Sequence, residues 1–480
     1  MGLRKKLNFS HFLFNTMFNK EVYILRREKL KSSVGNGLIL FLGNEESSMS
    51  YKDNLYPFRQ DSSFLYYFGI DRPGLFAIID IDHGEEIMFG ETQTEDDIVW
   101  TGYQESLVDI SEKIGIGKVK DPSQLASIIQ QAQKQQRTIH YLKPYRPEHT
   151  LKLSALLGTN ESGILSMVSI NLVKAIVAQR SIKTPEELEE IEKGVNITVD
   201  MQMAAMSLAR EGMTEAMVAG ELQKIAIANG GNLSFPTILT VNGEILHNHF
   251  SSKLIKKGDL LLCDCGAETA MHYAGDLTRT FPVSGSFSNK QREIYQIVYD
   301  AETAAAKILK PGILFRDVHL FACLKLVEGL EQLGLMKGNA LEAVQAGAHT
   351  LFFPCGLGHM MGLDVHDMEN LGEQYVGYTE DLIQSKEFGL KSLRLGRSLE
   401  PGFVITVEPG IYFNPYLMDI WETKNKYKEF INYDKLKAYR DFGGVRIEED
   451  FLVTEDGHRL LGKALAKLPE EIEAIRSKIE

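Results

Sequence analysis

Residues 399–413 read LEPGFVITVEPGIYF, and their pattern decides the class of fold. The run 403–407 is short, rich in β-branched and aromatic residues, and flanked on both sides by Pro-Gly, as expected of a buried strand stopped by turns. Glu408 closes that run at a place where valine or isoleucine would fit. Alternation also permits a solvent-facing glutamate there, so Glu408 gains meaning only from similar residues elsewhere.

Similar residues are found in both directions along the chain. VRIEEDFLVT (445–454) places Glu448 in another apolar run, and LLLCDCG (260–266) buries Asp264 in a third. Period-two alternation sends Asp264 to the face opposite Cys263 and Cys265, which read as packing residues because a lone C-x-C is a poor zinc signature. HYAGDLTRTFPVSG (272–285) sets Asp276 at the start of a further strand, facing Asp264 across a hairpin. FFPCGLGHMMGLDVHDME (352–369) carries His359 and His366 in a glycine-rich stretch whose backbone can approach a ligand closely. Each residue alone is a turn, cap or surface residue more often than a ligand; their joint occurrence carries the argument. Asp264, Asp276, His359, Glu408 and Glu448 form a hard, oxygen-rich donor set that suits a pair of divalent cations. Four carboxylates gathered without cations would repel one another strongly, so convergence in space means a metal site.

A chain of 480 residues exceeds the size of a single core, which implies two domains. Its charge of −13 and lack of basic blocks exclude a nucleic-acid surface, and no apolar run is long enough to span a bilayer. Four cysteines are too few to staple the chain, so a reducing cytoplasm is expected. MGLRKKLNFSHFLFNT (1–16) reads as an unstructured extension or an upstream start ahead of Met17.

Domain one, 17–178, is expected to be a mixed α/β unit with strands between 38 and 89, a hairpin at Asp82-His83-Gly84, and helices over 122–133 and 163–178. QRSIKTPEELEEIEKG (179–194) opens domain two, 179–480. There Thr184 is the N-cap, Pro185 the first helical residue, and Glu187 completes a capping box. A helix over 185–210 should follow, ended by Gly212. Further helices are expected at 214–229, 289–309 and 314–333, and strands at 238–241, 260–265, 403–408 and 445–453. No internal repeat is visible, although a duplicated α/β plan can hide below sequence similarity.

Taken together, YPFRQDSSFLYYFG (56–69), IKTPEELEEIEKG (182–194), GDLTRTFP, GLGHMMGLDVHD, the 399–413 stretch and GGVRIEEDF run in the order of a known family. The chain resembles the dinuclear metallopeptidases of the aminopeptidase P and prolidase group, relatives of methionine aminopeptidase. The resemblance implies an α/β (α+β) chain in which a small N-terminal domain precedes a pita-bread catalytic domain. It implies two divalent ions, manganese first with cobalt or zinc as alternatives, and assembly into a homodimer or larger homo-oligomer. Asp264 would then serve one ion, His359 and Glu408 the other, and Asp276 and Glu448 would bridge them. Glu408 would also shuttle a proton. His247 and His366 would contact the substrate around the scissile bond, and Arg446 would orient the carboxylates.

Peptides with proline at position two are the implied substrates, cleaved to release the first residue. The alternative is a prolidase acting on Xaa-Pro dipeptides: Arg394 matches the carboxylate-binding arginine of that branch, and the insert between Phe413 and Phe442 is similar to its own. Some pita-bread proteins have lost their metals and become creatinase-like hydrolases or protein-binding modules, but these lack several of the five ligands present here. Two departures stand out. Cys355 occupies the place of a family histidine, and the stretch from Asp264 to Asp276 is one residue longer than usual.

Overall fold

A five-stranded sheet organises the first part of the computed structural model, which describes residues 16–478. The basic opening segment, apart from Thr16, lies outside the described residues. Across the sheet the strands run Val119–Lys120, Glu85–Phe89, Phe76–Asp80, Leu38–Leu42 and Ile139–His140. The three central strands are antiparallel and the two outer ones pair parallel. The expected hairpin is present: Asp80 pairs with Glu85, and Gly84 takes the positive φ that the turn needs. Leu38–Leu42 is covered on both faces. Leu38 and Leu40 pack toward the helices Leu125–Lys134 and Pro147–Leu157, whereas Ile39 and Phe41 join the larger core shared with the rest of the chain.

The helix expected over 163–178 is two helices, Glu161–Ser166 and Ile170–Ser181. Ser169 breaks the run because its side chain accepts from the Leu172 N–H, capping a new helix and competing with continuation of the old one. The Pro185–Leu208 helix begins as expected at the Thr184 cap, where the Glu187 carboxylate accepts the Thr184 N–H at 3.1 Å while the Thr184 hydroxyl makes no bond in return, and ends two residues short of the expected limit.

After that helix the element order repeats. The helices Pro185–Leu208 and Glu215–Ala228 lead into the sheet Leu277–Pro282, Leu260–Cys265, Ile238–Thr240. The helices Asn289–Lys307 and Phe315–Gln332 lead into the sheet Val404–Val407, Glu449–Val453, His458–Leu460. The strand expected over 445–453 is interrupted. Gly444–Arg446 pairs with Gly410–Tyr412, while Glu449–Val453 pairs with Val404–Val407, and Ile447 and Glu448 form the step between the two sheets. Among the described residues no helix is long and apolar enough to cross a membrane.

A charged latch joins the first sheet unit to the second part. His272, at a positive φ, places Nδ1 2.9 Å from Glu268 Oε1 and Nε2 2.8 Å from Asp71 Oδ2. Arg59 adds a 3.0 Å bond to Glu268 and a 2.6 Å bond to the Leu363 carbonyl. Burial alone would lower the His272 pKa, but the bonds to Asp71 and Glu268 carry it up to about 9. A pKa raised on folding adds stability that is complete below the unfolded value near 6.5 and is lost as pH rises through about 9. His272→Gln should therefore cost on the order of 3 kcal/mol in urea titrations at pH 6.5 and far less above pH 9, and an equal loss at both pH values would refute a charged latch.

Candidate metal centre

The second antiparallel unit supplies the first acidic side chains. Asp264 lies in Leu260–Cys265, opposite Thr278, and Asp276 sits one residue before the paired strand rather than inside it. Cys263 and Cys265 share the other face, their sulfurs 4.0 Å apart, and all four cysteines are free. From the last sheet, Glu408 projects just beyond Val404–Val407, and Glu448 occupies the step between sheets, where the Thr278 hydroxyl donates to it at 2.8 Å. His359 is brought alongside by Gly358, where a Cβ would lie 2.0 Å from the Thr406 carbonyl oxygen. The Thr406 N–H then donates to the His359 carbonyl at 3.0 Å, and the His359 N–H to the Thr406 hydroxyl at 3.2 Å.

All five candidate ligands, with His247, His366, Arg394 and Arg446, line one cavity of about 290 Å³. His359 Nδ1 lies 3.0 Å from the Met360 carbonyl, which can only accept, so Nδ1 holds the proton and Nε2 presents a lone pair. That lone pair faces Asp276 Oδ2 and Glu408 Oε1, each at 3.6 Å. These separations are too long for hydrogen bonds, but donors about 2.0–2.2 Å from a common ion sit roughly 3–3.6 Å apart. One ligand atom each from Asp276, His359 and Glu448 lies within 4.8 Å of the others. One oxygen of Asp264 and one of Asp276 are buried without any hydrogen-bond donor. The residues therefore fit divalent cations.

Electrostatics agree with that fit. Burial, then repulsion from Glu448 and Asp264, drives the Asp276 pKa far up; burial and Glu408 do the same to Glu448. Burial with the Asp264 charge lifts Glu408 to about 6. His359 is held neutral by burial and by its neighbour His366, whose ring centroid is 4.4 Å away. Arg446 is the buried counter-charge. It donates to Asp264 at 2.5 Å, to the Tyr412 hydroxyl at 2.9 Å and to Thr278 at 3.2 Å. At the rim, His366 Nδ1 bonds Glu369 at 2.7 Å, and that bond first, then Arg394, brings Glu369 down to about 2. His247 is exposed at the mouth.

Residues 189–455 match the model of metallopeptidase family M24. The chain belongs to metallopeptidase family M24. Residues 23–140 match the aminopeptidase P N-terminal domain. The M24 chain is 32% identical over 466 residues to the Homo sapiens Xaa-Pro dipeptidase, covering 95% of itself and 92% of that protein. It is 29% identical over 472 residues to the Escherichia coli K12 Xaa-Pro aminopeptidase, covering 95% and 98%. Among solved structures, E. coli aminopeptidase P with the inhibitor Pro-Leu superposes with a TM-score of 0.78 at 28% identity, over 96% of this chain and 99% of that one. The expected α/β plan, with its pita-bread catalytic part, is thus the fold, and the protein is a metal-dependent hydrolase of peptides.

The M24 site contains groups that sequence reasoning does not single out. Asp450, buried beside Glu448, accepts the Asp276 N–H at 3.1 Å. Tyr412 holds Arg446, and Phe235, Pro236, Leu246 and Val365 give the cavity an apolar wall. The signal for Asp450 is present in the acidic triplet 448–450 inside an apolar strand. Cys355, in place of the family histidine, also lines the cavity, and burial pushes its thiol up to about 12, so it is a neutral group there.

Proposed function

We propose that this M24 peptidase is an Xaa-Pro aminopeptidase that releases the first residue from peptides with proline at position two. The proposal rests on one observation: the His359 lone pair and the Asp276, Glu408 and Glu448 carboxylates converge, with Asp264, in a single cavity. Asp264, Asp276, His359, Glu408 and Glu448 would hold two divalent ions, with manganese the first choice for so oxygen-rich a set. When bound, the ions supply Lewis acidity and neutralise the cluster.

The chain's own residues do the rest. Glu408 accepts the proton of the attacking water and passes it toward the leaving amine. His247 and His366 contact the substrate and the developing oxyanion; with Nδ1–H given to the Glu369 carboxylate, His366 donates through Nε2 only as the imidazolium and otherwise meets the substrate there as an acceptor. Arg446 keeps Asp264 in place. An Xaa-Pro bond has no N–H and its neighbour is extended, so binding by backbone pairing is weak and a shaped apolar pocket is needed. Phe235, Pro236 and Leu246 suit a pyrrolidine ring. A homo-oligomer in a reducing cytoplasm completes the reading, the latter supported by four unpaired cysteines.

The dipeptidase alternative has one observation in its favour. Arg394 lines the cavity beside Ser392, restrained by Glu369 at 3.2 Å and Glu373 at 3.5 Å, where a free carboxylate would meet it. After chelation and manganese readdition, turnover of an Xaa-Pro tripeptide should return and exceed that of the Xaa-Pro dipeptide, and Arg394→Ala should change the tripeptide rate less than about 10-fold. A clear dipeptide preference, lost by 10²-fold or more in Arg394→Ala, would make the protein a dipeptidase, as expected for a charge-assisted carboxylate contact of about 3 kcal/mol.

A further inference from the structure

A second set of metal-binding donors lies in the wall behind the carboxylate cavity. His319 and Cys323 stand one turn apart on the Phe315–Gln332 helix, and His349 comes from the 3-10 turn Ala348–Leu351. One ligand atom from each lies within 4.8 Å of the others, and all three residues are at most 3% exposed. Such a group would ordinarily be core packing, but its hydrogen bonding is incomplete. His319 Nδ1 and both ring nitrogens of His349 are buried without a partner; the Val344 carbonyl near His349 lies off the geometry of a bond. An unpaired buried nitrogen has given up its water with nothing in return, a penalty that a ligand would relieve.

The spacing fits a cation. Cys323 Sγ is 3.5 Å from the His319 Nε2, and a tetrahedron with metal–nitrogen bonds of about 2.0–2.1 Å and a metal–sulfur bond of about 2.3 Å has an edge near 3.6 Å. An S–H···N hydrogen bond spans the same distance but leaves His349 bare. Burial holds His319 down to about 3 and His349 to about 4, so both imidazoles are neutral with lone pairs available.

We propose that His319, Cys323 and His349 form a separate site for one zinc-class divalent ion. Imidazole and thiolate donors select borderline-soft cations, whereas the carboxylate cavity takes hard ones, so the two sites sort metals by donor chemistry. On binding, the Cys323 thiol gives its proton to solvent and the thiolate takes the metal. The bound ion pins the Phe315–Gln332 helix to the segment that leads through Phe353, packed 5.7 Å from the His319 ring, to Cys355 and His359. It acts as a structural clamp behind the peptidase site, and the inference does not depend on which peptide is cleaved.

The test uses the full chain, stripped with chelator and reloaded with Co²⁺, since only a thiolate ligand gives cobalt an intense near-ultraviolet charge-transfer band. Wild type should bind three ions per chain and show the band. Cys323→Ser and His349→Gln should each lose one ion and the band, while Cys355→Ser, which removes the thiol facing the carboxylate cavity, and Asp276→Asn, which disrupts that cavity, should keep the band. Absence of the band from fully loaded wild type, or a band that follows Cys355, overturns the proposal. The wild-type ion count together with the Cys355→Ser spectrum decides even where the other variants fail to fold.

Discussion

Replacing Glu408 by glutamine is expected to lower kcat on an Xaa-Pro tripeptide by at least about 10³-fold, within the range general acid–base groups contribute, while KM changes little. The substitution is isosteric, so the new amide would keep the place of the carboxylate, 3.6 Å from His359 Nε2, and the backbone bond from the N–H of that position to the Leu357 carbonyl would remain. What disappears is one negative charge and the group able to accept a proton. Elemental analysis separates the two duties. If both manganese ions stay and turnover is lost, proton transfer is what glutamine cannot do; if one ion leaves as well, the ligand role dominates. Activity near wild type would remove Glu408 from both roles.

Much of this site is legible in the sequence because its charges interrupt patterns. Asp264, Glu408 and Glu448 each break or close a run that is otherwise nearly continuous in apolar residues, and an interruption is visible without knowing the partner. The partners themselves are not visible. Glu448, Glu449 and Asp450 are adjacent in sequence yet go to the cavity, to Arg279 and to the Asp276 N–H respectively. The chain steps between two sheets at that point, which defeats simple alternation. The His319, Cys323 and His349 group escapes notice for a related reason: a histidine and a cysteine one turn apart on an apolar helix face look like core until a residue from another segment joins them. The break at Ser169 is hidden because the apolar spacing runs through it, and only the side-chain cap reveals the stop.

The junction segment QRSIKTPEELEEIEKG is legible through its caps alone, yet two of its three cations turn out to hold the catalytic loop. Arg180 and Lys183 reach across to Asp367 at 2.7 and 2.8 Å, with all three side chains no more than 2% exposed. Arg180 also meets Asp364 at 2.9 Å. Asp367 in turn donates its N–H to the Met360 carbonyl at 2.8 Å, closing the loop that carries His359 and His366. Asp367→Ala would leave Arg180 with only the partly exposed Asp364 as counter-charge and Lys183 with only the Arg180 carbonyl, an arrangement that costs about 3–5 kcal/mol, because desolvation is then uncompensated. Urea titration should show that loss, and kcat/KM should fall with it as His366 loses its support. Adding Lys183→Met to Asp367→Ala removes one stranded charge and should return part of the stability, though not the activity. If the single variant costs less than about 1 kcal/mol, attraction and desolvation already balance in the triad, and the loop is held by the Asp367 backbone bond instead.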